Sequence, residues 1–198
     1  MKNIIFSILS IVMLFILSGC SGTVSNMQVA TPGEIISSPK EGTSKIVFLR
    51  TNSLGFAIQS SIFKIKNNTP EIVGIVAAKK KMSYDINPGN YIFMVIGESA
   101  DFMYAEIKEN KTYYADITPR MGMWKARFSL APISGEVASS QEFIESLNDY
   151  QLVIPNESTK IWAINNQESI SSKYTEYYKK WMSKEENLRP KLLSSDGI

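Results

Sequence analysis

The chain has 198 residues, of which 44% are hydrophobic and 11% aromatic, and this is enough to fill the core of one ordinary domain. Its 21 basic and 19 acidic residues are interspersed and give a formal charge of +2, which argues against nucleic acid as the partner. The absence of histidine removes the commonest general base and zinc ligand, and the single cysteine excludes an internal disulfide or a cysteine-based metal cluster.

The N-terminal segment, residues 1–19, has the pattern of a secretory signal peptide. Lys2 precedes an apolar run from Ile4 to Leu17. That run is about fourteen residues long, shorter than the roughly twenty that a membrane-spanning helix needs. It ends in Leu17-Ser18-Gly19-Cys20, which resembles a bacterial lipobox. The resemblance implies cleavage before Cys20 and a covalent lipid on it, and we expect no other cofactor. The alternative is an uncleaved N-terminal anchor with a spare cysteine.

Residues 20–44 are expected to hold the lipidated cysteine and a flexible tether. The segment is rich in Ser, Thr, Gly and Pro and has no periodic apolar pattern. A flexible chain of this length spans roughly 25–30 Å and would hold the folded part clear of the head groups. Ser21 after the cysteine resembles the pattern for export to the outer membrane. The expected location is therefore the cell envelope, on an outer membrane facing the periplasm or otherwise on the outer face of the plasma membrane.

Residues 45–131 have the pattern of a mainly β domain, in which β-branched and aromatic segments alternate with turn residues. The central segment is Asp85–Ile96, where Pro88-Gly89 specifies a turn before a run that is apolar on both faces. We predict an antiparallel β-sandwich of about seven or eight strands, transthyretin-like or immunoglobulin-like, with two C-terminal α-helices packed on it. The strands are predicted near residues 45–50, 61–66, 71–77, 82–86, 91–96, 102–108, 112–118 and 124–130.

Residues 132–198 are predicted to be a helical extension packed on the sandwich. Ser139 and Glu142 have the spacing of a capping box, which predicts a helix to about Asn148, and Leu152–Ile154 is expected to add a brief strand. A second helix is predicted over Ser169–Lys184, with its aromatic residues on one stripe. We expect the stripe to cover the central strand, and the alternative is a surface for a partner or for lipid.

The candidate partner-binding residues are the Met, Trp, Arg and Tyr side chains typical of interface hot spots, namely Arg120, Met121, Met123, Trp124, Arg127, Tyr174, Tyr178 and Trp181. The alternative for Trp124 is burial at the start of a strand. Lys79-Lys80-Lys81 is interpreted as a solvated turn, with anionic lipid as the alternative partner. Glu98, Asp101 and Glu106 lack the spacing of a calcium loop, so we expect a charged rim and no metal.

The middle of the chain carries a family resemblance. The residues concerned are Arg50, Asn87-Pro88-Gly89-Asn90-Tyr91 and Lys111-Thr112-Tyr113-Tyr114. With these, roughly residues 45–130 resemble a family of uncharacterised bacterial lipoproteins that have a small β-sandwich domain of unknown function. The resemblance implies membrane anchoring and the fold, and it implies no catalytic residue.

These observations predict a lipid-anchored envelope protein whose β-sandwich is a non-catalytic binding or scaffold module. Its partners would be the membrane, through the N-terminal lipid, and an envelope protein. One alternative is an accessory lipoprotein of a secretion or envelope assembly machine. The other is a histidine-independent hydrolase, although the sequence selects no pair of Ser and Lys residues or of carboxylates as catalytic.

Overall fold

The structure is a computed structural model that describes residues 24–120 and 127–198. Within these ranges the fold is mainly β, with a six-stranded and a five-stranded sheet. The strands are β1 (Met27–Val29), β2 (Ser44–Arg50), β3 (Ser60–Lys66), β4 (Thr69–Val76), β5 (Lys80–Ile86), β6 (Gly89–Ile96), β7 (Ala100–Ile107), β8 (Thr112–Arg120), β9 (Arg127–Ile133), β10 (Gln151–Pro155) and β11 (Lys191–Leu192). The order is β1-β10-β5-β2-β8-β9 in one sheet and β11-β7-β6-β3-β4 in the other.

Both sheets are mixed, which corrects the expectation of an antiparallel arrangement. Strand β2 pairs parallel with β8, β5 with β10 and β7 with β11, whereas the other ladders are antiparallel. The parallel ladders join strands that are far apart in the chain. Turn residues in a sequence indicate hairpins between neighbouring strands, so these long-range pairings have no local signal.

The strands predicted between residues 45 and 130 are confirmed as β2–β9, with the last described from Arg127 onward. The turn chemistry is confirmed at Asn67 and Asn68, whose φ angles are 49° and 60°, in the two-residue connection between β3 and β4. Gly89 has a φ of 150°, a value that L side chains rarely adopt. The local rules of strand and turn formation therefore account for the central part of the chain.

The main core lies between the two sheets. The rings of Phe48 on β2 and Phe93 on β6 meet there, with centroids 5.4 Å apart. Strand β6 is buried on both faces, as predicted: Val95 joins the main core, and Met94 and Ile96 join a second cluster on the outer face of the five-stranded sheet. Both faces of β6 are therefore covered, one by the six-stranded sheet and the other by the long C-terminal helix.

The segment expected to be a flexible tether contains a strand. Strand β1 pairs antiparallel with β10, and Met27 is buried in the main core with 7% of its surface exposed. The backbone amide of Ile75 lies 3.4 Å from the sulfur of Met27, and the hydroxyl of Thr159 donates to the carbonyl of Asn26. A strand of three residues is too short for an apolar alternation to be recognised. The tether expectation is corrected for these residues.

The helices among the described residues are α1 (Gly135–Ala138), α2 (Gln141–Ser146), α3 (Glu157–Asn165) and α4 (Gln167–Met182), with short 3₁₀ helices at Leu147–Asp149 and Glu186–Leu188. None of them is long and apolar enough to cross a membrane. The brief strand predicted at Leu152–Ile154 is confirmed as β10, which lies between β1 and β5, whereas β11 at the edge of the five-stranded sheet was not predicted.

Side-chain hydrogen bonds to backbone amides mark the first residues of α2 and α3. Ser140 caps α2 through its hydroxyl, one residue later than predicted, because Ser139 ends α1 by donating its amide to the carbonyl of Gly135 at 3.0 Å. Helix α3 was not predicted, although Asn156 and Thr159 form a reciprocal capping box at its start. Helix α4 agrees with the predicted second helix to within two residues at each end.

Candidate functional site: a basic cleft beside the long helix

A cleft of about 270 Å³ lies between the C-terminal turns of α4 and the adjoining ends of β7, β8 and β9. The charged residues that line this basic cleft are Arg120, Arg127, Lys180, Lys184 and Asp101. Four cations against one carboxylate make the cleft electropositive. A concave site of this kind attracts anions.

The β8–β9 hairpin positions both arginines. Arg120 and Arg127 stand opposite each other on the last described rung of this antiparallel ladder. Two like charges in that position repel unless an acidic group compensates them. Asp101 at the start of β7 supplies this group for Arg120, whereas Arg127 is exposed and has no ion pair within the ranges that the structure describes.

Asp101 is the acidic centre of the cleft and is only 4% exposed. Its carboxylate accepts hydrogen bonds from the hydroxyl of Ser129 at 2.7 Å and the ammonium of Lys184 at 3.5 Å, and it forms an ion pair with the guanidinium of Arg120 at 3.0 Å. A buried carboxylate requires such compensation. The expectation that Asp101 belongs to a rim of charged loop residues is therefore wrong, because Asp101 is buried and lies in β7. The part of the chain that the structure describes holds no cluster of three or more acidic or cysteine side chains suited to a metal ion.

Two buried donors in the cleft wall have no acceptor in residues 24–120 and 127–198. They are the hydroxyl of Ser99 and the indole N–H of Trp181, and each residue is only 3% exposed. An unpaired buried donor costs about 1–3 kcal/mol, which makes such groups rare in folded proteins. The residues that carry these donors line the cleft, but the donor atoms themselves are enclosed by protein, so the groups that could bind a carboxylate or phosphate are the exposed guanidinium and ammonium groups.

Lys180 has the shortest ion-pair distance among the cleft cations. It donates to the carboxylate of Glu176 one helical turn earlier at 2.6 Å, and this hydrogen bond raises the pKa of Lys180. The ammonium also lies 4.9 Å from the centre of the Tyr177 ring. Lys180 therefore adds positive charge but less net attraction for an anion than Arg127.

The aromatic stripe of α4 packs against the five-stranded sheet. The ring of Phe102 on β7 lies 6.1 Å from Tyr174, 5.3 Å from Tyr178 and 5.7 Å from Trp181. Tyr174 and Trp181 are buried, at 9% and 3% exposure. The stripe thus covers the sheet, and Trp181 also lines the basic cleft.

The structure brings three of the partner-binding candidates together in the cleft, namely Arg120, Arg127 and Trp181. Met121, Met123, Trp124 and the lipidation candidate Cys20 lie outside the described residues. Sequence reasoning missed Ser99, Asp101, Lys180 and Lys184 as cleft residues. The positions of Lys180 and Lys184, four residues apart and beside Trp181, could have indicated that both lie on one side of the helix. The burial of Ser99 and Asp101 could not be predicted, because it depends on contacts between distant strands.

The lysine run is not the solvated turn that the sequence suggested. Lys80 is 4% exposed and donates to the side chain of Gln151 at 2.5 Å, and Lys81 donates to the carbonyl of Leu147 at 2.6 Å. Burial lowers the pKa of both lysines. Only Lys79 is exposed, with a positive φ of 60°. The three ammonium groups therefore do not form one patch for anionic lipid.

Arg50 forms a separate, fully buried polar centre. Its guanidinium donates to the carbonyls of Leu54, Gly55 and Ile58 at 3.0, 2.7 and 2.5 Å and lies 4.3 Å from the centre of the Phe128 ring. Burial lowers the pKa of Arg50 to about 10. These bonds satisfy the backbone of the loop between β2 and β3 and give Arg50 a structural role.

Comparisons with known proteins add little to this geometry. No protein-family model matches the chain, and no curated protein matches it either. One similar solved structure is described as "NMR structure of the protein from Eubacterium rectale"; it is 10% identical, and the match covers 52% of this chain and 93% of that chain with a TM-score of 0.27. A likeness at that TM-score supports no argument, so the resemblance to a lipoprotein family stays a prediction.

Proposed function

We propose that the protein is a lipid-anchored envelope protein, that its two sheets form a sandwich-type, non-catalytic binding or scaffold module, and that the basic cleft receives an anionic group of the ligand. One observation carries the binding role. Four cationic side chains line the cleft, and its one lining carboxylate, that of Asp101, is buried and already paired with two of them. A carboxylate or phosphate of a ligand would supply the missing negative charge.

The ion pairs of Asp101 leave the neighbouring cations accessible. The side chains of Arg120 and Lys184 are 43% and 36% exposed, whereas that of Asp101 is 6% exposed. A guanidinium has five N–H donors, so Arg120 can keep its bond to Asp101 and donate to a second oxyanion. Both cations thus keep exposed surface for a ligand, whereas the carboxylate between them is enclosed.

The anchoring role is supported by the lipobox-like sequence at Leu17–Cys20 and by its distance from the fold. Strand β1 begins seven residues after Cys20, and seven residues span at most about 25 Å. The module would therefore lie close to the membrane surface instead of at the end of a long tether. Two or three acyl chains hold a protein stably, whereas a single chain binds only marginally.

The binding role is tested with inorganic phosphate and acetate as probes at low, constant ionic strength. The readout is the ¹⁵N–¹H resonance of the Trp181 indole. This resonance is assigned because it is missing from the spectrum of Trp181→Phe. We expect a saturable shift in the wild type and a loss of affinity of about tenfold, or roughly 1.4 kcal/mol, in Arg127→Gln. The matched control is Lys173→Gln, because Lys173 is a cation of the same helix that does not line the cleft and donates to the hydroxyl of Ser169 at 3.3 Å. A shift that fails to saturate, or equal losses in the two variants, contradicts the proposal.

A further inference from the structure

The loop between β2 and β3 holds two large apolar side chains in solvent. Leu54 is 52% exposed and Phe56 is 50% exposed. The loop is nevertheless tightly organised, because Arg50 binds its carbonyls, the side chain of Asn52 accepts from the amide of Leu54 at 2.7 Å, and the amide of Ile58 donates to Gly55 at 2.9 Å. The loop therefore presents both apolar side chains to any surface that lies against it.

The chain from the candidate lipidation site arrives at the base of this loop. Gln59, the last residue before β3, donates to the hydroxyl of Ser25 at 3.3 Å. Ser25 follows Cys20 by five residues, which span at most about 18 Å. A lipid on Cys20 would therefore hold this end of the fold within that distance of the bilayer.

Cationic side chains lie at the same end. Strands β2 and β8 are parallel, so their last residues, Arg50 and Arg120, lie toward the same end of the six-stranded sheet. Lys79 is exposed there, and its amide donates to the carbonyl of Arg50 at 2.9 Å. A Cβ on Gly55 would lie 3.6 Å from the ring of Phe128, and Phe128 follows Arg127 of the basic cleft. Apolar residues flanked by cations match the boundary of an anionic bilayer.

We propose that the β2–β3 loop end of the fold docks on a bilayer that contains anionic phospholipid. Leu54 and Phe56 enter the boundary between head groups and acyl chains, and Lys79 and Arg127 lie beside lipid phosphates. This inference rests on the lipid anchor of the proposed function. The bilayer, not a protein, is the occupant because Ser25, five residues after Cys20, contacts Gln59 at the base of this loop.

The test uses the full-length processed protein, purified in detergent and reconstituted into phosphatidylcholine vesicles that contain phosphatidylglycerol. A cysteine is introduced by Phe56→Cys and labelled with an environment-sensitive fluorophore. Cys20 is the chain's only cysteine, and acylation blocks its sulfur, so one label per protein reports on position 56 alone. The matched control is Ile164→Cys on α3, because Ile164 is an apolar residue that is 69% exposed.

We expect a quencher attached to the lipid acyl chains to reduce the emission of the label at position 56 at least about threefold more than that of the label at position 164. Equal or weaker quenching at position 56, with one label per protein, overturns the docking and leaves the anchor in place. A partner protein at this loop would give that result. Labelling of Cys20 as well would show that its sulfur carries no lipid. That result would refute the anchor and, with it, the docking inference.

Discussion

Asp101 and Arg120 form an ion pair in which the carboxylate is buried and the arginine side chain is exposed to solvent. The guanidinium nitrogen lies 3.0 Å from the carboxylate oxygen, and the side chain of Asp101 is 6% exposed whereas that of Arg120 is 43% exposed. The carboxylate is satisfied entirely from the protein side, with Ser129 and Lys184 as its further partners. Arg120 therefore has donors left for a ligand, and Asp101 acts as the fixed counter-ion of the cleft.

We expect Asp101→Asn to lower the free energy of unfolding by about 1–3 kcal/mol, because two cations lose their buried partner. The same change should tighten phosphate binding on the order of tenfold, since the competing internal carboxylate is gone. Denaturant unfolding and phosphate titration measure the two effects. Glu145→Gln, at an exposed carboxylate on α2 that accepts a hydrogen bond from Gln141, is the control. Weaker phosphate binding in Asp101→Asn would argue against the anion site.

We expect Trp181→Ala to cost about 3–5 kcal/mol of stability, because it removes a buried aromatic side chain that packs on Phe102. Met182→Ala, at a neighbouring residue that is 47% exposed, should cost less than about 1 kcal/mol. The midpoints of chemical denaturation of the parent and of the two variants measure these losses of stability. A Trp181→Ala midpoint equal to that of the parent would mean that the helix does not hold the sheet and serves association instead.

We expect Arg50→Met to destabilise the protein by about 3 kcal/mol, because three loop carbonyls lose their donor. Arg50→Lys should recover only part of this, since one ammonium group cannot reproduce the geometry of a guanidinium. Hydrogen exchange should show the greatest loss of protection in the β2–β3 loop. Unchanged exchange there, with both variants stable, would disprove the role of Arg50 in organising the loop.

Asp116 should make the free energy of unfolding depend on pH. Its carboxylate accepts from the amide and hydroxyl of Thr51 at 3.1 and 3.2 Å, yet burial raises the pKa of Asp116 above its ordinary value. A raised folded-state pKa means that folding favours the protonated form. The stability of the wild type relative to Asp116→Asn should therefore rise as the pH falls through that raised pKa toward the ordinary value. A difference that is flat between neutral pH and pH of about 4 would contradict the assignment.

We expect Cys20→Ala to leave an unprocessed precursor, because only the thiol accepts the first lipid. Cell fractionation, a salt wash of the membranes and the mass of the N-terminal fragment measure this outcome. Ser21→Ala is the control and should be processed normally. A Cys20→Ala protein that is processed and retained like the wild type would remove the lipid anchor from the proposed function.

Much of the fold could be predicted because its signals are local. The β-branched and aromatic segments, the Asn67-Asn68 turn and the apolar run of β6 each depend on residues adjacent in the chain. The helix that carries Trp181 was equally evident from its period. Strand β1 and helix α3 were missed because one is too short for a period and the other is capped by an Asn and Thr pair.

The sequence by itself determined the secondary structure of the centre of the chain, the two-sided burial of β6 and the need for a cover such as α4, because hydrophobic period and turn chemistry act between near neighbours. Only the tertiary structure decided the parallel pairing of β2 with β8, the burial of Asp101 and Ser99, and the meeting of Arg120, Arg127 and Trp181 in one cleft. These features depend on which distant strands lie side by side. That choice follows from the packing of the whole core, and no local pattern records it.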